Sequence, residues 1–380
     1  MNRGRGGSRA AHPAPGAHQA APAGPGPGLP AAPTGKWLFR GGDGRLTAYA
    51  CAARGLLRWT EAAYPATGWT GPEVLSVPGW TGAAAMAQSH EGYIHFVTLR
   101  TPADGSGRPE IAVATQFQSG RGLTDWRGLG APGVRGGPEG DAPVCPPRIV
   151  VNQRSGTVHV IVSLRLGGIV RRSRNAQGTW GGWKQIAPDP YPGGITAVMP
   201  AGGRLEVLAS GPAGIDRWVG SAQGQFHLAD RVATQMAGVP AGCETGPRRA
   251  TYFWRYPGDD SLVAWRAGQP GVQSGMIGLG GAGGRGAPGV GRAVIGGYDC
   301  TVLAQNGGEG DIELTAYVSE NEGYGTWWAG LGGRGLRAPQ VAVDAAGRIV
   351  VAALDRDGAL AVTRQDTAAE GLVFGPWQRA

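Results

Sequence analysis

Catalysis needs particular side chains at particular spacings, and this sequence of 380 residues offers few such groupings. Glycoside hydrolysis usually needs two carboxylates at a defined separation. Asp141, Asp216, Glu244, Glu313 and Glu320 are scattered along the chain, and no spacing pairs any two of them. The six histidines, His12, His18, His90, His95, His159 and His227, show no H-E-x-x-H or other ligand pattern. His95 and His159 fall in apolar runs, where packed core histidines are the commoner occupants. Cys51, Cys145, Cys243 and Cys300 lack C-x-x-C spacing and lie far apart. They read as buried or loop thiols without local disulfides, which favours a reducing compartment. Residues 280–286 are glycine-rich but precede a β-type run rather than the helix that a phosphate cradle uses. No metal and no cofactor is expected.

The elements that would position any site come from a repeat. Gly178-Thr179-Trp180-Gly181-Gly182-Trp183-Lys184-Gln185-Ile186 has relatives at Leu123-Thr124-Asp125-Trp126, Gly325-Thr326-Trp327-Trp328-Ala329-Gly330-Leu331-Gly332-Gly333 and Phe374-Gly375-Pro376-Trp377-Gln378, and a shorter echo at Thr67-Gly68-Trp69. Two degenerate copies centre on Phe226 and Ile277. The anchors Trp69, Trp126, Trp183, Phe226, Ile277, Trp328 and Trp377 are spaced by 57, 57, 43, 51, 51 and 49 residues. A β-type repeat of about 40 to 50 residues marks a propeller. Each repeat divides into short apolar runs separated by Gly, Asp and Asn turns, with the anchor stretch as the last strand. In the third repeat the second strand, Val158 to Val162, is apolar nearly throughout, as a strand covered on both faces must be. In the fifth repeat the first strand is expected near residues 233–239. No window shows a helical apolar period. The fold predicted is an all-β, seven-bladed β-propeller with about four antiparallel strands per blade over residues 36–380. Its ring closes by packing of blade 1 against blade 7, without strand exchange.

Residues 1–35 are rich in Pro, Ala and Gly and read as a disordered N-terminal tail. They contain no apolar h-region, so no ordinary signal peptide is seen and a cytoplasmic location is expected, with non-classical export as the other route. No apolar run approaches the length of a membrane span. The net charge of +8 falls by half if Arg3, Arg5, Arg9 and Lys36 are set aside, and the remainder is thinly spread. Nucleic-acid binding usually requires a continuous basic face, so no nucleic-acid partner is expected.

The G-x-W-x-x-W-x-x-L-G-G type strand and the G-R-L-x-V strand with its D-G hairpin resemble the PLL-like seven-bladed β-propeller lectins and, more distantly, the tectonin and fungal fucose-lectin propellers. Residues 178–186 keep both tryptophans at the family's spacing, and residues 325–333 bring theirs together as Trp327-Trp328. The resemblance implies sugar sites in clefts between blades, against Trp180, Trp183, Trp126, Trp327, Trp328, Trp69 and Trp377. It also implies glycans as partners, fucose-like or O-methylated sugars among them. An aromatic face covers the apolar face of a sugar while polar neighbours fix its orientation. The competing role for each tryptophan is blade packing. Trp180 is expected to be exposed and Trp183 packed, because residues three apart in a regular strand face opposite ways. Trp59, Trp218, Trp254 and Trp265 read as core. Residues 173–180 faintly echo the sialidase Asp box with Asn175 in place of the acid, and such boxes are structural turns. The leading function is therefore a non-enzymatic carbohydrate-binding protein, ahead of a protein-interaction scaffold and well ahead of a glycoside hydrolase.

Overall fold

A computed structural model describes residues 30–63, 66–102, 108–133, 141–268 and 275–380. They form seven antiparallel sheets of four strands, each a meander in chain order. Blade 1 spans residues 38–76, blade 2 80–128, blade 3 148–187, blade 4 195–232, blade 5 237–280, blade 6 285–330 and blade 7 337–379. The first strands of neighbouring blades lie side by side around a central channel, and blade 7 meets blade 1 in the same way. Among the described residues the only helical element is the 3-10 turn Glu322–Tyr324. The seven-bladed, four-stranded architecture is the one the repeat predicts, and each blade draws all its strands from one stretch of chain.

Second strands explain why the ring holds. In Val158–Leu164 and Ile349–Leu354 every residue is buried. Such a strand cannot alternate between core and water, so it requires a neighbouring sheet on each face. The result is seven apolar clusters, one for each blade interface. Asx turns close the hairpins at the polar ends. Asp344 Oδ1 accepts the Ala346 and Arg348 amides, and Asp355 Oδ1 those of Asp357 and Ala359. Asn175 Oδ1 accepts the Thr179 amide at 2.8 Å, so the Asp-box echo is a structural turn.

Third-strand arginines tie several blades to the next one. Arg58 donates to the carbonyls of Gly120 and Arg121 in blade 2. Arg171 donates to Gly224 O at 2.9 Å and lies over the Phe226 ring in blade 4. Arg364 reaches Glu61 at 2.5 Å across the seam between blades 7 and 1.

Two expectations about the chain's course shift. The first strand of blade 5 lies at Ala237–Gly246 rather than near 233–239. A register shift between Ala237 and Ala241, around Pro240, hides its alternation from the sequence. The tail's residues 1–29 lie outside the described residues, but residues 30–35 belong to the ring. Ala31 exchanges two backbone hydrogen bonds with Cys51 of blade 1, at 2.8 and 2.7 Å. The Thr34 amide donates to Ala84 O of blade 2 at 2.8 Å, and Arg337 of blade 7 donates to Pro30 O at 2.8 Å. This short segment therefore spans three blades at the seam, a role its composition does not reveal.

The four cysteines are free thiols on separate parts of the ring. Burial pushes Cys51 and Cys243 up to about 12 and raises Cys145 and Cys300 as well.

Deleting residues 1–34 removes the strap and should lower the melting temperature by several degrees, whereas deleting only 1–28 should leave it within a degree of the parent. Equal melting temperatures for all three chains would show that the strap contributes nothing to closure.

Candidate functional site: the clefts between blades

Six of the seven candidate tryptophans are partly buried and pack into interface clusters. Trp69 packs at the interface of blades 7 and 1, Trp126 at 1 and 2, Trp180 and Trp183 both at 2 and 3, Trp328 at 5 and 6, and Trp377 at 6 and 7. The fold thus distributes them around the ring and does not gather them into one pocket. Trp59, Trp254 and Trp265 are core, at 2% exposure or less, and Trp218 is partly buried with its indole N–H on Tyr191 Oη.

The L-G-G motif has a physical reason. Trp328 Nε1 donates to Leu279 O of blade 5 at 2.7 Å, and Trp377 Nε1 donates to Leu331 O of blade 6 at 2.8 Å. Two residues after each leucine a glycine holds a positive φ, Gly281 at 67° and Gly333 at 73°. A Cβ on either would lie 2.8–2.9 Å from the incoming indole. The leucine carbonyl and the bare glycine therefore form a seat for the next blade's tryptophan. In blade 2 the matching residue is Ala131, Arg172 Nη1 takes the Leu129 carbonyl, and Trp183 Nε1 is left buried without a partner.

Trp327 is the exception to burial. Its neighbours Thr326 and Trp328 both donate to Leu279 O, at 2.8 and 2.7 Å. Both flanking side chains thus turn toward blade 5, and the residue between them is turned outward. Trp327 is 78% exposed, with its ring lying over Gly325, and Tyr324 in the same connection is 84% exposed. Beneath this connection Arg266 of blade 5 pairs with Glu322, whose carboxylate is almost fully buried and whose Oε2 has no partner. The connection between blades 5 and 6 thus carries an exposed indole and an exposed phenol above a largely buried guanidinium–carboxylate pair. Sequence reasoning picked out Trp327 but missed Arg266, Glu322 and Tyr324. The pair is separated by 56 residues, and no local pattern announces it.

The cleft beside blade 3 differs from its expected form. Residues 181–183 lie outside any strand, and Trp180 forms only an isolated bridge with Arg174. Strand alternation does not apply there, so both indoles turn to the same cluster. Around them Arg172 donates to Gly181 O at 2.6 Å, and Arg174 Nε is buried without a partner. His95 Nδ1 lies 3.0 Å from Thr115 Oγ1, and His159 Nδ1 lies 2.8 Å from Ser173 Oγ. Burial, with Arg174 adding repulsion, lowers His95 to about 4; burial and Arg171 do the same for His159. Both are neutral near pH 7 and unsuited to proton transfer there.

The carboxylates considered for hydrolysis are each engaged. Asp141 accepts the Leu166 and Gly167 amides, and Asp216 takes a bidentate bond from Arg231. Glu244 accepts the Ala201 and Arg248 amides, Glu313 accepts from Gln305, and Glu320 pairs with Arg249. Among the described residues no group of three His, Cys, Asp or Glu could hold a metal ion, and no helix is long and apolar enough to cross a membrane.

The buried histidines set a pH dependence. Unfolded, each takes a proton near pH 6.5; folded, only near 4, so between these values the unfolded chain binds more protons. Stability should therefore be full above pH 6.5 and fall as the pH drops toward 4, by up to about 3 kcal/mol per histidine. Urea unfolding at pH 7 and pH 5 measures this, and the double variant His95→Gln, His159→Gln should flatten the difference. An unchanged slope would assign the acid sensitivity to other groups.

No family model matches the chain, and no curated protein matches it significantly. Solved structures do. A protein from Lactobacillus plantarum is similar over 88% of this chain and 95% of its own, at 14% identity and a TM-score of 0.58. AofleA from Arthrobotrys oligospora is similar over 78% of this chain and 86% of its own, at 10% identity and a TM-score of 0.51. A point mutant of the Aleuria aurantia lectin, solved with Fucα1-6GlcNAc, is similar over 77% of this chain and 94% of its own, at 11% identity and a TM-score of 0.47. Likeness at such identities speaks to architecture and nothing finer. Taken with the seven closed blades, the first two likenesses make this chain a β-propeller of the kind those structures share.

Proposed function

We propose that this protein binds carbohydrate without transforming it, and that the cleft between blades 5 and 6 is its principal sugar site. The observation that carries the reading is the 78% exposure of Trp327 on a connection that is otherwise stapled to blade 5. A large aromatic left in water on a rigid support is a platform for an apolar ring face. The buried Arg266–Glu322 pair holds the connection that carries the indole, and the exposed Tyr324 hydroxyl is a polar group that a sugar's hydroxyls can use. A fucose-like or O-methylated sugar, as the sequence resemblance implies, presents a methyl group suited to the indole. The partly buried tryptophans at the other interfaces serve mainly to pack blades. The cleft beside blade 3, with Trp180, is the second-ranked site.

A scaffold reading has one observation in its favour. Val294, Tyr298 and Val318 of blade 6 are 70%, 65% and 39% exposed, so the blade that carries Trp327 also shows apolar surface that a protein partner could cover.

Glycan-array binding and thermal melting of the parent and Trp327→Ala decide between them. Loss of the indole should weaken binding about tenfold or more, with the melting temperature within a degree or so of the parent. Trp328→Ala should instead lower stability by roughly 3–5 kcal/mol. A parent that binds no glycan, or a Trp327→Ala variant that binds as well as the parent, would transfer the function to the scaffold reading.

A further inference from the structure

The central channel holds positive charge that the protein does not balance. Its cavity, about 460 Å³, is walled by the first strands of blades 2 to 7 together with Thr34, Gly35 and Lys36. Its charged wall residues are Lys36, Arg148 and Arg292, and no carboxylate lines it among the described residues. Arg292 is balanced by a bidentate pair with Asp299. The other two are not. Arg148 is 7% exposed, and its Nε and Nη1 donate only to the neutral carbonyls of Ile195 and Pro146, at 2.9 and 2.8 Å. The Lys36 ammonium sits 5.6 Å from the Phe39 ring centroid, with no carboxylate partner among the described residues. Burial lowers the pKa of Arg148, while Lys36 is exposed on the channel wall.

A buried guanidinium without counter-charge costs free energy because desolvation opposes it, and the exposed Lys36 adds a second charge with no carboxylate beside it among the described residues. Folded proteins meet that cost with a nearby carboxylate or with a bound anion, and here no carboxylate is near. One mouth of the channel continues the pattern. Lys36 and Arg40 line it, together with Arg292, whose charge Asp299 already balances. Inside, Thr34, Thr196 and Gln340 supply neutral polar groups, while Met86, Ile149 and Val290 leave the rest of the wall apolar. The volume admits a phosphate or a small carboxylic acid and excludes a folded macromolecule.

We propose that the central channel is a binding site for a small oxyanion, the phosphate or carboxylate group of a small molecule, held between Lys36 and Arg148 and entered past Arg292. The site is separate from the cleft between blades 5 and 6 and shares no residue with it.

Thermal melting of the full chain tests this at matched ionic strength in chloride, inorganic phosphate and citrate. Phosphate, citrate or both should raise the melting temperature by several degrees over chloride, and whichever acts names the oxyanion class. Lys36→Gln and Arg148→Gln should each remove most of the rise over chloride. Trp327→Ala should keep the full rise, which separates this site from the sugar cleft. If a channel variant fails to fold, calorimetric titration of the unaltered protein with phosphate and with citrate decides the matter directly. No heat with either anion, a rise no larger than chloride gives, or a full rise in Lys36→Gln would each overturn the proposal.

Discussion

The contact between neighbouring blades is the interaction on which everything else depends. A four-stranded sheet whose second strand is buried on both faces, as Val158–Leu164 is, has no stable existence alone. Each blade borrows half of its core from the next, so the seven apolar clusters belong to pairs of blades rather than to single sheets. Directional bonds refine this contact. In blades 6 and 7 the indole N–H groups of Trp328 and Trp377, seated on leucine carbonyls, fix how far the fourth strand leans toward the preceding blade, and in blades 1 and 3 third-strand arginines tie the sheet to the following one. At six joints the chain itself also connects the partners. At the joint between blades 7 and 1 packing, the Arg364–Glu61 pair, the bond from Arg40 Nη1 to Asp344 O and the strap at residues 30–35 do so instead.

Packing of this kind decides which aromatic residues remain for recognition. A fourth-strand tryptophan that docks on the preceding blade is consumed by the architecture. Only where the docking contacts flank a residue on both sides, as Thr326 and Trp328 flank Trp327, is an indole left facing water on a fixed frame. Rigidity there has chemical value, because a platform that does not reorganise on binding loses less conformational entropy to the ligand. The channel shows the same principle with charge. Arg148, on the first strand of blade 3, and Lys36, just before that of blade 1, line a channel whose wall carries no carboxylate among the described residues.

Blade number was legible in the sequence because the anchor tryptophans recur at a period typical of propeller repeats, and even the degenerate Phe226 and Ile277 kept the spacing. The L-G-G motif was legible as a pattern, but its reason was not. That reason is a carbonyl and a missing Cβ presented to a side chain 46 to 49 residues away. The orientation of Trp180 and Trp183 was misjudged because strand alternation was applied to a glycine pair outside any strand. Arg266 and Glu322 could not be paired in advance, since their meeting depends on how two blades abut. Residues 30–35 were set aside by composition, although their fold is held by backbone groups that composition does not describe.

The strap has a mechanical consequence. Ala32, at one end of the ring's chain, and Ala380, at the other, pack against the same apolar cluster at the joint of blades 7 and 1. Tension applied between the two ends is therefore not carried through the body of the propeller. It falls on the single joint without a covalent link, and it peels the strap's few hydrogen bonds in succession instead of shearing them together. The ring is strong against forces that act on its faces and weak against a pull on its own ends, so under load it would open as a bracelet does at the clasp.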